Sequence, residues 1–344
     1  MKAVIMAALL AAAPPATTDP GLDRGREASR LLFSGDPEQL APMMTPEMLA
    51  FMGGPEGLNR FAREVREKAG AEAALLREAV FLEDGFSHYY RESRLEKVPR
   101  ATLQWVFEGG RISGAWIGPS PAPAPNPNAG YVTRAPLRLP FAAPAAGGAW
   151  QVMWGGRNAI DNYHVIAADQ SYAYDFALER EGRLRTPGGT HNEAFYCWNE
   201  PVLAPAAGRI VSAVGDVPDN PAPPAIPKGA PAPGNHVVID HGQGEYSLVA
   251  HFRAGSLAVR PGDRVKAGTL LGRCGNSGNS TMPHVHYHLS TKPGVHEGLG
   301  LPAFFNGYEA DGGIVERGEP KRGQRVLPAV DRPAAASAEA VRTR

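Results

Sequence analysis

The sequence predicts two domains of different class, an α+β unit over about residues 20–118 and an all-β unit over about residues 130–320. Three observations carry this. Apolar residues recur at helical spacing up to Gly70 and at strand spacing from Ala79 onward. Residues 119–127 then alternate proline with other residues, which favours an extended spacer that cannot join a sheet. Beyond the spacer come many short apolar runs punctuated by Gly and Pro, without a convincing helical pattern among them, as in a barrel or sandwich. At 344 residues, 43% hydrophobic and 20% charged, the chain has the length and composition of two globular domains. Its 35 basic residues balance 35 acidic ones, so neither a nucleic-acid footprint nor a polybasic membrane anchor is indicated.

The elements follow in order. Met1 and Lys2 precede an Ala- and Leu-rich run to Ala13, then small residues and prolines. One positive charge before a short apolar stretch has the form of a secretory signal peptide, assigned to residues 1–18 with cleavage between Ala12 and Thr18. The run is too short to span a membrane comfortably, and no other long apolar run follows. The mature chain is therefore expected to be exported, periplasmic or extracellular, with no membrane span.

Ala28, Leu31 and Leu32 recur at helical spacing until Gly35-Asp36-Pro37 closes the segment. Thr45-Pro46-Glu47 offers an N-cap followed by proline at the first helical position. Leu58, Phe61, Ala62 and Val65 mark a third helix ending near Gly70. Residues 79–82, 87–91, 101–107 and 111–117 read as strands, the last two joined by Glu108-Gly109-Gly110 as a tight hairpin. In the second domain, residues 137–141, 150–154, 202–204, 208–214, 236–240 and 246–252 read as strands. The end of the chain, residues 321–344, is Ala-rich and aperiodic from Leu327 and is expected to be a disordered tail.

The chemistry concentrates in residues 281–289, which read as a strand with His284, His286 and His288 on one face and Val285, Tyr287 and Leu289 on the other. Histidines in register behind a Gly-rich approach, residues 275–280, can converge on one ion, or one can hold metal while its neighbour works beside it. Cys197 and Cys274 are the two cysteines; export would permit a disulfide, and two buried thiols are the equal alternative. Neither stands in a Cys-x-x-Cys pair, so a cysteine-based zinc site is poorly supported.

Several ordered segments of the second domain resemble the lysostaphin-type (LytM-like) zinc metalloendopeptidases. They are residues 201–211 (PVLAPAAGRIV), 234–242 (GNHVVIDHG), 250–252 (AHF), 259–268 (VRPGDRVKAG), 272–280 (GRCGNSGNS) and 283–286 (PHVH), spread over about 130 residues. The resemblance implies an all-β metallopeptidase domain, an antiparallel sheet or hybrid barrel, acting on peptidoglycan peptides. It further implies zinc held by His164, Asp175 and His286, with His251 and His284 beside the metal as acid/base and oxyanion-stabilising groups. Three N/O ligands leave the open position of a catalytic zinc site. The family's usual His-x-x-x-Asp spacing is exceeded here, so an insertion separates these two ligands. Asp175 is preferred to Asp169 because Asp175-Phe176-Ala177 keeps the family's Asp-apolar-Ala run. His241 is expected to be structural, and His191 and His236 loop or surface groups. His288 either orients His286 or serves as an alternative ligand. The Pro-rich insertion at residues 216–233 either walls the substrate groove or is a surface excursion.

The helix-then-sheet order and the hairpin around Trp105 and Phe107 resemble the nuclear-transport-factor-like (SnoaL-like) fold, a cone of helices on a curved antiparallel sheet. An accessory role follows, since His88 has no paired acid and base around it. The competing reading of the whole chain is a non-catalytic peptidoglycan-binding or hydrolase-activating module. The five filled site positions argue against it.

Overall fold

The computed structural model describes residues 20–34, 36–221 and 226–329. The signal-peptide reading of residues 1–18 and most of the expected tail lie outside the described residues. The N-terminal domain has helices α1 (Pro20–Ser34), α2 (Pro46–Phe51) and α3 (Gly54–Ala69) ahead of strands β1 (Glu72–Glu83), β2 (Phe86–Leu95), β3 (Ala101–Glu108) and β4 (Arg111–Pro119). Thr45 caps α2 as its sequence implies, its hydroxyl accepting from Met48 N at 3.1 Å. The four strands form an antiparallel meander in chain order. One face packs Tyr89, Leu103, Trp105 and Phe107 against Ala28, Leu31, Leu32 and Leu58 of the helices. That burial gives α1 and α3 their amphipathic pattern. Helices thus precede an antiparallel sheet, in the order the spacing predicts.

The C-terminal domain contains β5 (Ala149–Trp154), β6 (Tyr174–Glu179), β7 (Pro201–Leu203), β8 (Gly208–Val214), β9 (His236–Asp240), β10 (Tyr246–Ala250), β11 (Arg264–Val265), β12 (Leu270–Arg273) and β13 (Val285–Ser290). Four further strands close it: β14 (Gly300–Leu301), β15 (Phe305–Ala310), β16 (Gly313–Gly318) and β17 (Arg325–Pro328). Its main sheet runs β11-β8-β9-β10-β13-β6-β5-β17-β15-β16, with β14 on β13, and β7 pairs with β12 in a small second sheet. Every pairing between these strands is antiparallel. Phe141, Trp150, Phe176, Val237, Val249, Val285 and Tyr287 fill one continuous core. Burial of both alternating faces explains the near-continuous apolar runs of β9 and β10.

Three expectations need correction. The tail assigned from residue 321 is ordered as far as Pro328: β17 pairs with β5 and β15, and Val326 is fully buried. Four residues with one apolar core position carry too little periodicity to announce a strand, and the ladder partners supply what the pattern lacks. Residues 137–141 are not a strand beyond one bridge from Phe141 to Val202, because Pro136 and Pro140 remove the donors a ladder needs. The histidine strand begins at Val285 rather than Thr281, since Pro283 has no N–H and restricts Met282. His284 is held instead by an isolated bridge to Gly275.

Among the described residues, no helix is long and apolar enough to cross a membrane. Cys197 and Cys274 are joined in a disulfide, with Cα atoms 6.0 Å apart.

Candidate metal centre

Two ligand candidates reach the site from neighbouring strands. β6 and β13 pair with Asp175 opposite His286, so both side chains project from the same face of the sheet. Nδ1 of His286 lies 2.9 Å from Asp175 Oδ1. The third candidate comes from outside the sheet. Asn162 caps a short 3₁₀ turn, Tyr163–Ile166, by accepting from His164 N at 3.1 Å. The same amide oxygen accepts from His164 Nδ1 at 2.8 Å. An amide oxygen only accepts, so Nδ1 carries the proton and the bare Nε2 faces Asp175 Oδ2 at 3.6 Å. Asn162 is itself pinned by donating to the carbonyls of Gly156 and Ala173.

His164, Asp175 and His286 thus bring one ligand atom each within 4.8 Å of one another, and all three are buried. Burial alone would push the Asp175 carboxyl up, yet His164 and His284 beside it hold it well below the usual range. Two imidazoles and a carboxylate, gathered without an apolar gap between them, form a donor set that suits zinc. Asp169, the alternative ligand, is not in this cluster; its Oδ2 lies 3.4 Å from His296 Nδ1.

His251 and His284 flank this group, with ring centroids 4.7 Å apart and His251 5.7 Å from His286. Both are oriented by the same device. His251 Nδ1 donates to the Ser277 carbonyl at 2.7 Å, and His284 Nδ1 donates to the Met282 carbonyl at 2.8 Å. Each is left with Nε2 as its open nitrogen, and that of His284 lies 3.5 Å from Asp175. His251 adopts a φ of +65°, a left-handed conformation rare for a side chain of this size, which points to a constrained position. The Gly-rich approach supplies the Ser277 carbonyl; Gly234 and Gly278 cross so closely that a Cβ on either would strike the other's backbone.

His288 does not join the ligand triad. Its Nδ1 lies 3.0 Å from His286 Nε2, the nitrogen of His286 that faces away from Asp175. It is therefore placed to accept the Nε2 proton and keep Nδ1 of His286 free for a metal. His241 is structural, bridging the Ala207 carbonyl and the Ser247 hydroxyl. His191 is exposed, as expected, but His236 is buried, its Nδ1 donating to the Gly234 carbonyl. β9 lies between β8 and β10 with both faces covered, which an isolated histidine in a short run does not reveal. His88 accepts from Gln104 at 3.1 Å.

The cleft over the group is lined by Tyr163, Gln170, Ala232, Pro233, Leu248, Asn279 and His296. The last residues of the Pro-rich insertion, Ala232 and Pro233, therefore wall the site; the Pro233 carbonyl also receives His251 N at 3.3 Å. Asn162 and Tyr163 escaped the sequence reading. An Asn two residues before a His, ahead of a short turn, is the signal that could have marked Asn162.

Residues 193–296 match the family model described as Peptidase family M23. His251, His284 and His286 fall inside that match, whereas His164 and Asp175 precede it. A stretch of 59 residues is 39% identical to peptidoglycan DD-endopeptidase ShyA of Vibrio cholerae; it covers 17% of this chain and only 13% of that relative. Among solved structures, the catalytic domain of lysostaphin from Staphylococcus simulans is 21% identical, with 44% of this chain and 84% of that one covered and a TM-score of 0.26. A zinc-containing peptidase from Vibrio cholerae is 14% identical, with 63% and 57% covered and a TM-score of 0.27. Within the C-terminal domain, residues 193–296 thus carry the resemblance to Peptidase family M23.

Proposed function

We propose that the chain is an exported zinc metalloendopeptidase that hydrolyses peptide bonds in peptidoglycan cross-links. One observation carries the reading: three buried ligand atoms converge within 4.8 Å beside two histidines whose Nδ1 protons are already committed to backbone carbonyls. The match to Peptidase family M23 and the endopeptidase activity named for the Vibrio cholerae relative support the substrate class. His164, Asp175 and His286 would hold the zinc. Bound there, zinc supplies Lewis acidity, lowering the pKa of water from 15.7 toward about 7 and polarising the scissile carbonyl.

The chain's own residues supply the rest. His251 and His284, each with a bare Nε2 turned to the site, take the proton of the attacking water and return one to the leaving amine. Whichever of the two is protonated also faces the developing oxyanion. Asn162 and His288 hold the two ligating imidazoles in the tautomers a metal needs. Tyr163 and Pro233 border the cleft in which a peptide would lie. The helices preceding a four-stranded antiparallel sheet support reading residues 20–118 as a nuclear-transport-factor-like accessory domain. A peptidoglycan substrate and the sequence of residues 1–18 together support action outside the cytoplasm.

The test is release of new amino termini from purified peptidoglycan by the zinc-loaded full chain, with His284→Ala as the blank. Release by the parent alone is expected. Tight binding of one zinc without release of amino termini would overturn the peptidase reading in favour of an activator or binding module.

A further inference from the structure

The catalytic reading leaves the N-terminal domain without a task, yet its sheet docks on the segment that presents His164. β1 and β2 turn Phe81 and Tyr90 toward the C-terminal domain, where these rings and Trp154 enclose the guanidinium of Arg322. The guanidinium carbon lies 4.1, 4.7 and 3.6 Å from the centroids of Phe81, Tyr90 and Trp154 respectively. Such a desolvated cation over three aromatic faces is a strong contact. From inside the cage Arg322 donates to the Tyr90 hydroxyl at 3.1 Å and to the Ile160 carbonyl at 2.5 Å, and its backbone N donates to the Gly155 carbonyl at 3.0 Å.

A second clasp lies beside it. Arg77 of β1 reaches both carboxylate oxygens of Asp161, at 2.8 and 2.6 Å. Asp161 in turn accepts from Asn158 at 2.6 Å, and its carbonyl receives Gly155 N at 3.0 Å. The interdomain spacer adds a third: Ala124 N donates to the Val165 carbonyl at 2.7 Å and the Asn126 amide to the Ala168 carbonyl at 3.3 Å. Residues 155–168 are therefore gripped on both sides of His164 by groups outside the segment.

The need for such grips follows from the local structure. Asp175 and His286 are fixed by a strand ladder, whereas His164 stands on one 3₁₀ turn within irregular chain. A ligand on a loose segment has to be ordered when the metal binds, and that entropy is taken from affinity; a held segment has lost it already.

We propose that the N-terminal domain braces the metal centre, holding residues 155–168 so that His164 is pre-placed and the zinc affinity of the C-terminal domain depends on contacts made by the N-terminal one. Arg77, Tyr90 and Arg322 are positioning residues in this scheme. It rests on the assignment of His164, Asp175 and His286 to zinc.

The test is zinc affinity of the full chain, measured by competition with a chromophoric chelator and compared with melting of the metal-free protein. Arg77 is half-exposed, so Arg77→Ala leaves the fold intact; it is expected to weaken zinc about 3–10-fold, and Arg77→Ala combined with Tyr90→Phe about 10–100-fold, the range for outer groups that orient ligands. Metal-free melting should stay with that of the parent, and Arg30→Ala, on the far side of the domain, should leave zinc affinity unchanged. Arg77→Lys, which keeps the positive charge and a single donor nitrogen, should recover part of the loss. Parental zinc affinity in the double variant, or an equal loss in Arg30→Ala, would overturn the brace. If the parent binds no zinc, or binds it unchanged after His286→Ala, it is the metal-site assignment that fails instead.

Discussion

The two halves of the metal centre are built by different means. Asp175 and His286 face each other across paired strands, and the ladder that makes the sheet also sets their spacing. His164 arrives from a loop, and its position is set by side chains: Asn162 on its own ring, then Arg322 and Arg77 farther out. A ladder costs no special residues, because any sequence that pairs will place its side chains. A loop ligand needs a chain of named partners, each of which can be lost singly. The strand half should therefore tolerate changes around it, and the loop half should be sensitive to residues that never touch the metal.

The sharpest way to break this comparison is to remove a ladder-borne ligand. Asp175→Ala should abolish zinc binding and hydrolysis together, while Asp169→Ala retains one zinc by equilibrium dialysis; the reverse pattern would move the ligand into the loop. Next in size, His251→Ala and His284→Ala should each lower hydrolysis by about 10²–10⁴-fold, the usual worth of a general acid or base, with zinc content unchanged. Zinc loss in either would show that ligand and proton-transfer groups have been exchanged.

Smaller effects sharpen the contrast between the orienting partners of the two imidazoles. Asn162→Ala on the loop side and His288→Ala on the strand side should each weaken zinc by about 10–100-fold by chelator competition. If the ladder already fixes His286, the loss for His288 sits at the low end and that for Asn162 at the high end. Complete loss of zinc in His288→Ala would identify it as a ligand. Smallest for the site itself, Cys197→Ser with Cys274→Ser should reduce global stability by about 2–4 kcal/mol in denaturant titrations, since the bridge closes a loop with a sequence separation of 77. Zinc stoichiometry should remain that of the parent.

Period was the most legible property of this chain. The change from helical to strand spacing after Gly70 located the helix-then-sheet order, and alternation along residues 284–288 puts His286 and His288 on one face. The resemblance in residues 201–286 then supplied roles for those positions. Less legible were features that depend on partners far away in sequence. β17 is a strand because β5 and β15 flank it, not because of its own four residues. His236 is buried because β8 and β10 lie on either side of β9. Arg322 reads as one more charge near a chain end, and only the meeting of Phe81, Tyr90 and Trp154 makes it a clamp.

By itself the sequence determined the helix-then-sheet order, the histidine alternation and the residue types able to hold zinc, all of which are local patterns of spacing and chemistry. Tertiary structure alone decided that Cys197 meets Cys274 and that the N-terminal sheet closes on the loop carrying His164. The physical reason is one of range. Periodicity is written over a few residues, whereas a disulfide or hydrogen bond between residues 77 to 232 positions apart exists only after the chain has folded back on itself.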